Sequence, residues 1–196
     1  MSNVHARLRA RRHRLEEGKG DEGFTLIELL VVLLIIGILL AIAIPTFLSV
    51  TKTANNTAAQ SNLQTALTGS KTYFEQANQT YSGILNSATY STIKQVDTGL
   101  IYVTGSTSSS AANNISVYTT SSGNFVELAA FSPGTKDCWY ILDVTANSPA
   151  PPWSETSTGT YYGLAKGAST TTCLANATTA PTGGSGVSTS GFPTGG

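Results

Sequence analysis

The sequence predicts an α+β fold in which a long N-terminal helix, half membrane-spanning and half amphipathic, packs on a small antiparallel β-sheet. Three observations predict it: an unbroken apolar run near the N-terminus, apolar side chains at helical spacing after it, and then short strand-like segments between Gly, Ser, Asn and Pro clusters. The predicted parts are a leader (1–23), an apolar helix (24–50), an amphipathic helix (51–80), a globular β domain (81–175) and a disordered tail (176–196).

Charge and composition exclude several classes of function. The 196 residues carry 11 basic and 11 acidic side chains, and the charged fraction of 11% is well below the roughly 25% of an average soluble domain. A net charge of zero argues against a nucleic-acid partner bound through a broad basic surface. Both histidines, His5 and His13, lie in the basic head. A His-based catalytic triad or a His-ligated zinc site in the rest of the chain is therefore excluded, and we predict neither an enzyme nor a metal site.

The apolar run predicts a membrane-spanning helix. The segment Leu29–Ile44 has no polar side chain, and with its flanks the run extends from Phe24 to Val50. A helix of that length spans roughly 40 Å, which exceeds a bilayer core of about 30 Å. Arginines precede the run, so the positive-inside rule places the N-terminus in the cytoplasm and exports the remainder. A cleaved secretory signal would have a shorter apolar stretch.

The helix is predicted to continue beyond the apolar run, as one element from about Phe24 to Asn78. Pro45 must remove one backbone hydrogen bond from it, and Gly37 is a second weak point. The apolar and small side chains that recur at spacings of mostly three and four are Ala54, Ala58, Leu63, Ala66, Leu67, Ser70, Phe74 and Ala77.

Five strands are predicted after Gly83. Short connections favour an antiparallel arrangement, and residues 121–124 (Ser-Ser-Gly-Asn) are typical of a hairpin turn. From Asn176 onward the chain is rich in Thr, Gly, Ser and Pro, which predicts disorder. The predicted strands are Leu100–Thr104, Ile115–Thr120, Phe125–Phe131, Cys138–Val144 and Thr160–Ala165.

Cys138 and Cys173 are the two cysteines of the chain. In an exported domain, two cysteines are expected to form a disulfide. Closing a loop of about 35 residues would stabilise the fold by roughly 3–4 kcal/mol on the chain-entropy model. Two free buried thiols are the alternative.

Glu28 is the unusual residue of the apolar segment. An acid in the bilayer costs a few kcal/mol, so it needs a partner or marks the membrane edge. Apolar residues also precede it, and no basic side chain lies between Lys19 and Lys52. Cleavage just before Phe24 would create a positive α-amine. That amine on one subunit could neutralise Glu28 of its neighbour and fix the axial register of an assembly.

The residues around this acid resemble a known processing signal. The resemblance is to the class III signal of type IV prepilins and of type II secretion pseudopilins, in which a membrane aspartyl peptidase cuts after the glycine and N-methylates the new N-terminal Phe. It implies cleavage between Gly23 and Phe24, with residues 1–23 removed. The matching residues are Gly23-Phe24-Thr25-Leu26-Ile27-Glu28-Leu29, and the likeness continues to Pro45.

The same resemblance implies assembly roles. Glu28 would be the assembly glutamate, and Gly37 and Pro45 would border a helix segment that loosens in assembled pili. The implied function is that of a structural subunit similar to a major type IV pilin. Such a subunit is processed by the prepilin peptidase/N-methyltransferase and stored in the lipid bilayer as a single-pass protein. An inner-membrane assembly platform and a motor ATPase then polymerise it with copies of itself into a helical surface filament.

Two other functions remain open at this stage. The first is a pseudopilin of a type II secretion system, which a calcium site built from Asp97, Asp137 and Asp143 would favour. The second is a membrane-anchored exported binding protein, which would leave Glu28 unexplained. The cysteine pair, the large sheet domain and the Ala-Ile-Pro-Thr sequence at 43–46 favour the pilin. No cofactor is predicted.

Overall fold

The computed structural model describes residues 23–84, 93, 99–146, 153, 157–176 and 187–193. The predicted leader, apart from Gly23, lies outside the described residues. The chain forms two compact units, Met1–Thr46 and Phe47–Gly196. The first unit contains the start of the long helix, and the second contains the rest of that helix and the sheet.

Helix α1 runs from Leu26 to Gln76 and confirms the predicted single helix. It ends where Asn78 and Gln79 take positive φ angles of 55° and 61°, a conformation that asparagine tolerates better than most residues. The Gln79 N–H then donates to the Phe74 carbonyl at 2.9 Å, which closes the last turn. The side chains that α1 buries in the second unit are small or aliphatic: Ala59, Leu63, Ala66, Leu67 and Ser70.

Hydroxyl side chains on α1 bond back to the helix itself. Each donates to the carbonyl oxygen four residues earlier, at 2.8–3.2 Å. This geometry satisfies the hydroxyl without a partner from another element. The donors are Thr46, Thr51, Thr53, Thr57, Thr65, Thr68, Ser70 and Thr72.

The five predicted strands form one sheet in the order β1-β2-β3-β4-β5. Three of its four pairings are antiparallel, and this confirms the predicted α+β arrangement. The β1–β2 pairing is parallel, with Tyr102 opposite Ile115, so the expectation of an antiparallel neighbour is wrong there. The connection 105–113 is not a hairpin but returns along β1 before β2 begins. The strands are β1 (Ile101–Thr104), β2 (Asn114–Tyr118), β3 (Phe125–Ser132), β4 (Asp137–Val144) and β5 (Gly159–Ala165).

Both faces of the central strands are covered. All eight positions of β3 and all eight of β4 are buried, because one face packs against α1 and the other against Trp153 and residues after β5. A strand buried on both sides loses the apolar–polar alternation of a half-exposed one. This explains why the alternation in the sequence is imperfect.

Part of the tail has a defined structure, in contrast to the expectation of disorder. Within 187–193, Ser188 exchanges two backbone hydrogen bonds with Tyr162 of β5, at 2.8 and 2.9 Å. The Phe192 ring lies 5.0 Å from that of Tyr162 and 5.7 Å from that of Trp139. Contacts of Phe192 with two aromatic rings thus anchor a segment whose composition alone offers little to bury.

Candidate functional site

The candidate site is the N-terminal segment from Gly23 to Pro45, and it starts with a helix cap. The Thr25 N–H and hydroxyl both donate to Glu28 Oε2, at 3.0 and 2.8 Å. In return the Glu28 N–H donates to Thr25 Oγ1 at 3.3 Å. This reciprocal pair is a capping box, with Thr25 as N-cap and Glu28 at the third helical position. The negative charge also lies at the positive end of the helix dipole.

The capping box gives Glu28 a partner within its own chain. From the sequence we expected the acid to lack one until cleavage creates an α-amine. The Thr-x-x-Glu spacing of residues 25–28 was the signal that could have revealed the local partner. Glu28 therefore has two donors from Thr25 before any neighbour approaches it.

The apolar segment is exposed along its whole length. Every residue from Gly23 to Val50 is exposed, and Phe24, just before the helix, has 89% of its surface accessible. Among the described residues, α1 is the one helix that is long and apolar enough to cross a membrane. An exposed apolar surface this large indicates contact with lipid or with other helices.

Gly37 and Pro45 lie within this exposed segment. A Cβ placed on Gly37 meets no atom within 4 Å, so nothing among the described residues requires glycine at this position. Pro45 lies inside α1 and has no N–H, which leaves the Ala41 carbonyl without its usual helical donor. One turn of α1 therefore already lacks a backbone hydrogen bond.

Cys138 and Cys173 form a disulfide with a Cα–Cα distance of 5.4 Å. The bond joins the start of β4 to the loop after β5. The Cys173 carbonyl also accepts a hydrogen bond from the Ser109 N–H at 2.8 Å, from the connection between β1 and β2. The disulfide thus ties three separate segments together on the sheet face opposite α1.

Sequence reasoning missed a buried polar network at the other end of β4. Asp143 is only 5% exposed and accepts hydrogen bonds from the hydroxyls of Tyr81 at 2.6 Å and Thr160 at 2.5 Å. Lys71 of α1 forms an ion pair with it at 3.2 Å. Burial and the adjacent carboxylate raise the pKa of Tyr81 above its ordinary value. The network joins α1, the following loop, β4 and β5.

Glu127, in the middle of β3, is the second polar group that was missed. It is fully buried, and its Oε1 accepts a hydrogen bond from the Trp153 indole N–H at 3.2 Å. Its Oε2 has no hydrogen-bond partner among the described residues. Burial raises the pKa of this carboxyl well above its usual range, although the Trp153 bond opposes the shift. Burial, and Glu127 nearby, also raise the pKa of Tyr140.

The aspartates considered for calcium do not converge. Asp137 and Asp143 lie at the two ends of β4, about 20 Å apart at the usual rise of a strand. The predicted third ligand, Asp97, lies outside the described residues. The part of the chain that is described holds no group of three or more His, Cys, Asp or Glu side chains placed to bind a metal ion.

Comparison with known proteins finds similarity at the N-terminal segment. Residues 18–44 match the family model of the prokaryotic N-terminal methylation motif. Over 66 residues the chain is 42% identical to the type IV major pilin protein PilA of Myxococcus xanthus (strain DK1622). That match covers 34% of this chain and 30% of the relative. No solved structure matches the chain.

The fold and the N-terminal segment Gly23 to Pro45 together define a class of protein. Its members have an exposed apolar N-terminal helix with a methylation motif, and the later part of that helix packs on a five-stranded, mostly antiparallel sheet. The motif match is confined to residues 18–44, and the similarity to a type IV major pilin spans 66 residues, so the likeness to this family rests on about a third of the chain.

Proposed function

We propose that the chain is a structural subunit, and not an enzyme, that is stored in the membrane and polymerised into a helical surface filament of the type IV pilin kind. The observation that carries the proposal is the apolar surface of 24–50, which is exposed throughout and contains one carboxylate, Glu28. The bilayer would cover this surface in the monomer. A bundle of the same helices from other copies would cover it in the filament.

Processing would precede assembly. Residues 23–25 lie before the first helical residue, Leu26, so the bond between Gly23 and Phe24 is outside the hydrogen-bonded helix. An exposed backbone outside the helix is accessible to a peptidase. We propose that the prepilin peptidase/N-methyltransferase cuts this bond on the cytoplasmic side and methylates Phe24.

Glu28 would then change partners. In the monomer its carboxylate is held by neutral donors of Thr25. A cationic α-amine on Phe24 of a neighbouring subunit is a stronger partner, because ionised donors make hydrogen bonds roughly twice as strong as neutral ones. The exchange would set the axial register between subunits, since a buried charge left unpaired is costly.

Contacts between helices would replace the contacts with lipid. Apolar surface kept out of water is stabilised by roughly 25 cal/mol per Å², but lipid is as apolar as the side chains, so the gain over the membrane comes from packing between helices. Head-to-tail contacts that do not close generate an open filament. Pro45 would favour loosening of α1 during packing, because one hydrogen bond is already absent there. Gly37 would add backbone freedom in the same unit. We propose that an inner-membrane platform and a motor ATPase extract the subunit.

Substitution of Glu28 tests the proposal. We expect Glu28→Gln to remain in the membrane fraction and to reduce the yield of sheared filaments at least tenfold, as counted by electron microscopy. The matched control is Glu75→Gln, an exposed residue of α1 outside the apolar segment, which should assemble normally. Normal filament yield from Glu28→Gln would overturn the proposed register role.

A second variant separates assembly from helix capping. Thr25→Val removes the hydroxyl of the capping box and keeps Glu28 available to an α-amine. If capping were the whole role of Glu28, Glu28→Gln would assemble normally, because glutamine also serves at this position of a capping box, and Thr25→Val would be the more damaging variant. We expect Thr25→Val to assemble, with mass spectrometry still finding N-methyl-Phe24.

A further variant, Gly23→Leu, tests the cleavage site. We expect the bulky side chain to block cleavage. Mature, correctly cleaved Gly23→Leu chains in the same mass spectrometry assay would contradict the proposed cleavage site.

A further inference from the structure

The second unit contains a polar cavity in which positive charge is concentrated. The cavity has a volume of about 760 Å³, and three lysines line it: Lys52 of α1, Lys136 before β4 and Lys166 after β5. Five lysines and no arginine occur after residue 23, where acids outnumber them. Folding therefore collects most of the positive charge of this part of the chain at one place, and one buried carboxylate, Asp137, accompanies it.

Specific contacts hold the walls of this cavity in place. Gly134 approaches α1 so closely that a Cβ there would lie 3.0 Å from Lys52 Cα. The Thr135 hydroxyl donates to Asn56 Oδ1 at 2.7 Å, which fixes the loop before β4 against α1. Lys136 follows with a positive φ of 60°, an uncommon conformation for lysine. The loop thus holds Gly134 against Lys52 and places Lys136 in the lining of the same cavity.

An apolar surface borders the lysines within the same unit. Phe47, Leu48 and Val50 are 72%, 54% and 62% exposed, and Leu48 is four residues before Lys52 on α1. Residues four apart lie on the same face of a helix, about 6 Å apart along its axis. Exposed apolar side chains next to lysines are typical of surfaces that lie at the boundary between acyl chains and anionic headgroups.

We propose that this lysine cavity, formed by Lys52, Lys136 and Lys166, binds the anionic phospholipid headgroups of the membrane that stores the subunit. Two of the lysines come from sequence-distant loops and reach the cavity only when the exported domain folds. They therefore act after insertion and do not oppose the positive-inside rule, which depends on residues close to the span. The hydroxyl of Ser49, also in the lining, adds a neutral donor for phosphate oxygens.

The inference rests on the proposed membrane storage, and amine labelling tests it. The full chain is reconstituted in vesicles of phosphatidylcholine, with or without phosphatidylglycerol, and acetylated briefly with a water-soluble amine reagent. Mass spectrometry then reports the rate at each lysine. Lys71 is the internal control, because it lies on α1 roughly 28 Å from Lys52. We expect phosphatidylglycerol to slow labelling of Lys136 and Lys166 by about fivefold or more, without slowing Lys71.

Salt and substitution sharpen the result. High salt should restore fast labelling, because exposed charges are screened within a few ångström at molar salt. Lys136→Asn, which tolerates a positive φ, should weaken the protection of Lys166, whereas Lys71→Gln should leave it unchanged. Equal labelling rates in the two vesicles, or protection that is as strong without phosphatidylglycerol, would overturn the inference. A chain that does not float with either vesicle would instead overturn membrane storage itself.

Discussion

Replacing Glu127 by glutamine should make the protein more stable at neutral pH, although Glu127 is completely buried in the sheet. Its carboxyl receives one hydrogen bond, from Trp153, and Oε2 has no partner among the described residues. Burial raises its pKa in the folded state. The folded chain therefore retains a proton that the unfolded chain releases near its ordinary pKa.

The direction and size of the effect follow from this difference. At a pH below the pKa of Glu127 in the unfolded chain, the folded and unfolded states both hold the proton. The free energy of unfolding then loses nothing through this group. Above that pKa, stability falls by about 1.4 kcal/mol per pH unit until the pH reaches the raised folded pKa. Between pH 5 and pH 7 the loss is at most about 3 kcal/mol. Glutamine does not titrate, so that slope should disappear.

Urea unfolding of the full chain in detergent measures this effect. Trp139 and Trp153 are the two tryptophans, and their fluorescence reports on the buried sheet. We expect Glu127→Gln to match the unmodified chain near pH 4.5 and to exceed it at pH 7. The matched control is Glu75→Gln, since Glu75 is exposed. If the unmodified chain gained stability from pH 5 to pH 7, or if Glu127→Gln kept the same slope, the reasoning would be refuted.

Three further predictions concern stability. Tyr81→Phe removes a hydrogen bond to the buried Asp143 carboxylate and should cost about 1.5–3 kcal/mol in urea unfolding. Because the pKa of Tyr81 is raised, the unmodified chain should lose stability above pH 10, and Tyr81→Phe should lose less of it. The double variant Cys138→Ser, Cys173→Ser should lower the free energy of unfolding by about 3–4 kcal/mol, measured in urea against the unmodified chain under non-reducing conditions. An unchanged urea midpoint would contradict the role of the disulfide. Gly123→Ala should lower the thermal midpoint, because Gly123 has a φ of 64° and no room for a Cβ; full retention of that midpoint would count against a tight turn.

Much of the fold was predictable because its signals are local. The helix was predicted from Phe24 to Asn78 and is observed from Leu26 to Gln76, since an apolar run and a helical spacing both depend on neighbours in sequence. The turn at Gly123 was predicted for the same reason. The parallel partner of β1 was not, because strand pairing depends on contacts between distant segments that no local pattern records.

The buried polar residues could not be predicted from the sequence for the same reason. Glu28 stands out in the sequence because an acid interrupts an apolar run. Glu127 and Asp143 look like ordinary strand acids, and only folding buries them. The lysine cavity also arises from three segments that are far apart in the chain. Groups whose chemistry depends on tertiary burial were therefore beyond the reach of sequence reasoning.

The α1 hydroxyls that donate to carbonyls of their own helix make its surface compatible with different surroundings. Thr46, Thr51 and Thr53 direct their protons to carbonyls of the same helix, so they require nothing from water. Moving such a side chain into lipid or into a packed bundle breaks no hydrogen bond, and the usual cost of burying a polar group is largely avoided. These positions of the helix can therefore pass between water, lipid and protein without exchanging polar partners.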